Sequence, residues 1–275
     1  MRIAINTRRS EVGAYAAKVV CALATAILLG SNAFADQAAP SPSNATAAGS
    51  FDAPIKKITV DIAPSPRNYN RRGVLVCYYY PHLLVKEHAQ DQEIGAQLSM
   101  LRTRGELPAC KLSREPGERK IEGDDFLMGV KDKLVFVNTS DTFNGALGFG
   151  VLDSETGKQL FEDWVNARKM SGGQFGRVQV FSTKAGYVLK YVSVAQADCD
   201  LHRDGTACWK KIKAKLHLKG DVMPACTGYE HIAEMEKAFQ TDHFESMVAY
   251  PLEVTLSPHP SVKPVAGPVE CWPAF

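Results

Sequence analysis

The chain has 275 residues, with 32 Lys and Arg against 30 Asp and Glu, 45% hydrophobic residues and seven cysteines. A charge balance this close to zero gives no general field to attract nucleic acid or an anionic membrane, so a partner of either kind would have to meet a local patch. After residue 35 no segment approaches the roughly 18 uncharged apolar residues of a membrane helix, so no transmembrane segment is expected in the mature chain.

The first residues carry Arg2, Arg8, Arg9 and Lys18 against the single acid Glu11, and residues 19–30 are uncharged. This apolar run is too short for a bilayer core of about 30 Å, and it ends in Ala33-Phe34-Ala35, a small-x-small cleavage pattern. Residues 1–35 therefore read as a cleavable signal with the cut after Ala35, in a style that favours a bacterial origin and a periplasmic or secreted destination. Cys21 precedes most of the apolar run, which argues against a lipid-attachment box. Without the signal the chain keeps 28 cationic and 29 acidic side chains.

Residues 36–52 are rich in Ala, Pro and Ser and hold too few bulky apolar groups to offset the entropy of ordering, so they read as a flexible leader. A single β-rich domain is expected over residues 53–275. Ile58-Thr59-Val60-Asp61-Ile62 alternates with period two, and residues 74–80, 134–137, 177–182 and 187–194 are β-branched or aromatic runs. Tyr78, Tyr79 and Tyr80 then place at least one ring on the outer face of a strand, the others in the core. Residues 87–101 fit a helix or a strand equally well.

Between apolar runs lie tight turns at 130–133, 153–158 and 183–186, which predict antiparallel hairpins. The unit Asp153-Ser154-Glu155-Thr156-Gly157-Lys158 is similar to a turn in the blades of quinoprotein-like β-propellers. That likeness spans about a dozen residues, and the chain holds no second copy at the roughly 40–50-residue period a propeller needs. Gly145, Gly148 and Gly150, and again Gly172, Gly173 and Gly176, read as turns, bulges and close strand packing.

Six cysteines outlast the signal: Cys77, Cys110, Cys199, Cys208, Cys226 and Cys271. An even count in an exported chain, with no Cys-x-x-Cys, predicts disulfides. Sequence does not choose among the many pairings; the nearest-neighbour set is Cys77 with Cys110, Cys199 with Cys208 and Cys226 with Cys271. Thr227 with Glu230 forms a capping box that predicts a helix over 227–240, with Tyr229, Ile232, Met235 and Phe239 on one face. Pro258, Pro260, Pro264 and Pro268 predict an irregular tail.

Nucleophile-elbow, zinc-helix and phosphate-loop motifs are missing, so an enzyme is disfavoured and no cofactor or metal is expected. His231, Glu234, Asp242 and His243 lie close enough in sequence for an acid/base or metal site, and carry the alternative of a secreted hydrolase. Asp198, Asp200, His202 and Asp204 partly resemble a calcium loop, but His202 and Lys211 stand where oxygen ligands are needed, so a polar disulfide-closed turn is expected. Residues 211–219 alternate strictly: read as a strand, they bury Ile212, Ala214, Leu216 and Leu218 and present Lys211, Lys213, Lys215, His217 and Lys219 in a row. Such a row suits an anionic glycan or envelope lipid headgroups, or guards a sheet edge. The expectation is an antiparallel β-sandwich or irregular barrel with one packed helix and three disulfides, serving as a non-catalytic binding protein of the cell envelope. The asparagines of the two glycosylation-type sequons are Asn44 and Asn138.

Overall fold

A computed structural model of the chain describes residues 51–123, 125–168, 178–184, 186–256 and 259–275. The expected signal, most of the leader, Asn44 and the glycine cluster at 172–176 lie outside them. The described part folds as two antiparallel sheets packed face to face.

In the first sheet, β1 (Lys56–Ile62), β2 (Gly73–Tyr80), β3 (Leu83–Gln90), β4 (Ala96–Arg102) and β5 (Arg119–Lys120) pair in chain order. The ambiguous 87–101 stretch is thus the end of one strand and the start of the next. Gln92 and Gly95 take positive φ in the turn between them, which neither a helix nor a continuous strand accommodates. The second sheet contains β6 (Phe126–Lys131), β7 (Leu134–Phe143), β8 (Ala146–Asp153), β9 (Gln159–Asn166), β10 (Gln179–Thr183), β11 (Gly186–Gln196), β12 (Ser246–Leu256), β13 (Ser261–Pro264) and β14 (Glu270–Pro273). Its order is β13-β12-β11-β9-β8-β7-β6, with β10 on β11 and β14 on β12. The path is open, ending at β6 and β13, so the architecture is a sandwich and not a barrel. The Pro-rich tail is not irregular: Val262↔Val254 and Cys271↔Val248 are among its ladder partners.

Period-two alternation gives each sheet two different faces. Tyr80, Leu83, Val85, Leu98, Met100 and Ile121 meet Val130, Val135, Val137 and Leu152 in the layer between the sheets. On the far side of the second sheet, Phe136, Phe149, Val151, Val165, Leu189, Tyr191, Val248 and Val254 build the largest core. On the far side of the first sheet, Leu75, Cys77, Tyr79, Leu84 and Leu101 lie beside Cys110. Phe51 and Asp52, at the end of the expected leader, pack against the second sheet. The Phe51 ring sits 5.0 Å from that of Phe136 and fills the space left by the missing side chain of Gly129, while Asp52 binds Lys131 and the Asp132 amide.

Three disulfides join the nearest-neighbour pairs, Cys77–Cys110, Cys199–Cys208 and Cys226–Cys271. They fit an oxidising compartment. No helix among the described residues is long and apolar enough to cross a membrane.

Two α-helices are present among the described residues: one falls inside the predicted 227–240, and the other, α1, was not expected. α1 (Leu201–Leu216) buries Leu201, Cys208, Trp209 and Ile212 in the largest core. α2 (Ile232–Phe239) is shorter than the expected 227–240 and has no fully buried residue. The proposed capping box does not form, because Thr227 is drawn into the tail instead: its amide and hydroxyl both donate to the Cys271 carbonyl. Residues 211–216 belong to α1, so the alternating strand is replaced by a helix. At helical spacing Cys208, Trp209, Ile212 and Leu216 share one face, an apolar stripe that a window opening at Lys211 cuts in half.

The ends of α1, β12 and the Tyr229 loop meet at Ser246, which is fully buried. Its hydroxyl accepts from the Leu201 amide at 2.7 Å and pairs with Tyr229 Oη at 2.7 Å, while its backbone bonds Ala197 and Cys199. Ser246→Ala keeps the backbone bonds and strands two buried polar groups, so it is expected to cost roughly 1–3 kcal/mol in urea denaturation. A loss near zero would show that water replaces the hydroxyl.

Candidate functional site

The start of α1 is fixed chemically. Asp200 caps it, its carboxylate accepting from the amides of His202 and Arg203 at 2.9 and 3.2 Å, and the Cys199–Cys208 bridge ties the helix to the end of β11. Gly205, at φ 52, puts a kink in the first turns that a side chain would resist. The stretch resembling a calcium loop is therefore a helix start: Asp200 is the cap, His202 stacks on the Tyr229 ring at 4.5 Å, and Asp198 pairs with Lys215 at 2.7 Å. Burial pushes the Tyr229 phenol up to about 12.

Helical geometry separates the lysines that a strand would have aligned. Lys211 and Lys215, four apart, lie on one flank of the buried stripe. Lys213 lies on the other, where its ammonium binds Asp221 at 2.9 Å and the Gly220 carbonyl at 3.2 Å. His217 closes the helix in the left-handed conformation, and Lys219 lies beyond the helix end. Of the four lysines expected to act together, two remain together. They rim a cavity of about 60 Å³ between α1 and the ends of β11 and β12, whose apolar lining includes Ala195, Ala197, Ile212, Leu216 and Val248.

His231 and Glu234 are 3.7 Å apart, and His243 and Asp242 3.0 Å; both pairs are exposed. Among the described residues no group of three or more His, Cys, Asp or Glu side chains is placed to hold a metal ion. Asn138 is buried, so its sequon is closed to glycosylation in the folded chain. Tyr79 and Tyr80 are buried, Tyr79 donating to the Pro108 carbonyl at 2.8 Å, and Tyr78 is half-buried beneath the Lys57 ammonium. The exposed aromatic pair is a different one, Phe143 and Trp164, with ring centroids 6.3 Å apart. Trp164 lies over Gly148, its strand partner, where a Cβ would fall 3.5 Å from the ring.

Two partly buried carboxylates take partners from distant strands, and neither carries a local sequence signal. Glu118 accepts from Lys86 Nζ at 2.7 Å, Ser99 Oγ at 2.6 Å and the Glu115 amide at 2.9 Å. Burial raises its pKa, but these bonds outweigh burial and hold it below the ordinary 4.5. Asp163 accepts from Tyr191 Oη at 2.5 Å and Ser193 Oγ at 3.0 Å, and there burial wins, so its pKa stands above the ordinary 3.8. Both carboxylates are bound by groups of the chain itself. Beside Glu118, the Nε2 atom of His88 is buried without a partner, and burial pushes its pKa down.

No family model, curated protein or solved structure matches this chain.

The two carboxylates have opposite effects on stability. Glu118 contributes stability that is present above about pH 4.5 and lost as pH falls through its lower folded value. The contribution of Asp163 is present below about pH 3.8 and lost as pH rises through its higher folded value. In denaturation midpoints measured between about pH 3 and 7, Glu118→Gln is expected to flatten the acid limb and Asp163→Asn the rise in penalty above it. Unchanged slopes in both variants would contradict these assignments.

Proposed function

We propose that the chain is exported, cleaved after Ala35, and acts as a non-catalytic binding protein of the cell envelope, taking the anionic headgroup end of an amphiphile at α1. The observation that supports this reading is the pairing of two chemistries at one place. Lys211 and Lys215 supply positive charge at the mouth of a cavity whose lining is largely aliphatic. An anionic headgroup meets the ammonium groups, and the start of its attached carbon chain meets Ala195 and Leu216, the partly exposed apolar groups of the lining. A polar glycan would leave that lining unmatched, which favours a lipid headgroup over a sugar polymer. Asp198 holds Lys215 at 2.7 Å and presets its position, at the cost of a competing negative charge. Attachment of this kind is weak and sensitive to salt.

Co-sedimentation with phosphatidylglycerol vesicles, against phosphatidylcholine vesicles and over a salt series, tests the reading. Lys211→Gln combined with Lys215→Gln is expected to weaken binding to the anionic vesicles about tenfold at low salt. Lys213→Gln, on the other flank, is expected to have little effect. Equal binding by the double variant, or equal binding to both vesicle types, overturns the role of this surface.

A further inference from the structure

β1 is the outer strand of the first sheet. It pairs with β2 along all seven of its residues, from Lys56↔Tyr79 to Ile62↔Gly73, and its other edge pairs with no strand among the described residues. Lys57, Thr59 and Asp61 are exposed on one face, while Ile58, Val60 and Ile62 on the other face are only partly buried at the margin of the Leu75–Cys77–Tyr79 core. Unpaired strands of this length recruit other strands unless something deters them.

The central five residues of this edge, Lys57 to Asp61, are self-complementary, while Lys56 and Ile62 at its ends are not matched to each other. Counting outward from Thr59, Ile58 and Val60 stand one residue to either side, Lys57 and Asp61 two, and Pro54 and Pro64 five. We propose that a second copy of this chain lays its own β1 antiparallel against this one, about a two-fold axis at Thr59, joining the two five-stranded sheets into one.

In that register Lys57 of each copy faces Asp61 of the other, giving two ion pairs on one face, and Ile58 faces Val60 on the other. Other registers lose this match. A shift of two residues sets Lys57 opposite Thr59 or Ala63, a shift of one turns the charges onto the apolar face, and a parallel arrangement sets lysine against lysine. The prolines mark the limits of the pairing, since neither offers a backbone donor. Lysines on an edge strand ordinarily keep other strands away. Here Asp61 turns that guard into a choice of partner, and an isologous two-fold contact is the commonest form of self-association. One strand edge is smaller than a standard interface, so the dimer dissociates on dilution.

The test uses the exported, processed chain in sedimentation velocity and native mass spectrometry from about 1 to 100 µM. A dimer that grows with concentration is expected. Lys57→Asp or Asp61→Lys alone turns two attractive pairs into two repulsive ones and weakens it about tenfold. The double variant, Lys57→Asp with Asp61→Lys, restores it with the charges exchanged. Thr59→Cys, which meets its own copy at the axis, yields a disulfide-linked dimer on oxidation. A chain that stays monomeric at every concentration and gives no crosslink overturns the proposal. So does a dimer indifferent to the single reversals, or one weakened by the double variant as much as by the singles.

Discussion

The β11–β12 ladder carries the second sheet and most of what is attached to it. Ten consecutive partners, from Tyr187↔Leu256 to Gln196↔Met247, form the longest uninterrupted pairing in the fold. β9 and β10 share one edge of β11, and β13 and β14 share the free edge of β12. α1 leaves from the end of β11, and Ser246 at the first position of β12 ties the helix start and the Tyr229 loop to the ladder. The cavity beside Lys211 and Lys215 exists because Ala195, Ala197 and Val248 at the end of this ladder are small or β-branched where the helix crosses. Larger side chains there would fill it.

The first sheet solves a different problem. Five strands present two faces, and the second sheet covers only one. The other is covered by the irregular segment between β4 and β5, which has no ladder of its own. It is held down by the Cys77–Cys110 bridge, the bond from Tyr79 to the Pro108 carbonyl, and Lys86, whose ammonium binds both the Glu118 carboxylate and the Ser113 carbonyl. A buried ion pair carries a large desolvation cost, which is offset only when the remaining hydrogen-bonding capacity is used. Glu118 uses it fully, with Ser99 and the Glu115 amide added to the lysine. This pair is therefore read as a fastening of the covering segment.

The strands were legible in the sequence because a half-covered sheet imposes period-two alternation, and the turn at 153–158 because its chemistry is local. Asp153 Oδ1 accepts from the amides of Glu155 and Thr156 and from the Thr156 hydroxyl, and Gly157 takes φ 75. The Asn144-Gly145 hairpin, with both residues at positive φ, carries an equally local signal that could have been read as a two-residue turn. Residues 211–219 misled because lysine and apolar residues alternate by composition, while the positions that decide burial, Cys208 and Trp209, lie upstream. The helix at 227–240 was overestimated because the capping box is a local rule, and Thr227 is claimed by the Cys271 carbonyl 44 residues away. Glu118, Asp163 and Ser246 were not legible at all: each gains its meaning from partners on strands far along the chain.

The bridges follow one logic that neither sheet shows alone. Cys77 lies in β2 and Cys110 in the covering segment; Cys199 follows β11 and Cys208 lies in α1; Cys271 lies in β14 and Cys226 in the loop beside it. Each ties a segment with few ladder bonds to a strand or strand end. Chain-entropy arguments assign each bridge about 2–4 kcal/mol, drawn from the freedom of the unfolded chain. Reduction removes these ties from the cover of the first sheet, the start of α1 and the tail. The α1 surface depends on one of these ties, because Cys199 joins the strand end that lines the cavity to the helix that carries Lys211 and Lys215. An oxidising compartment thus suits the proposed binding surface as much as it suits the fold.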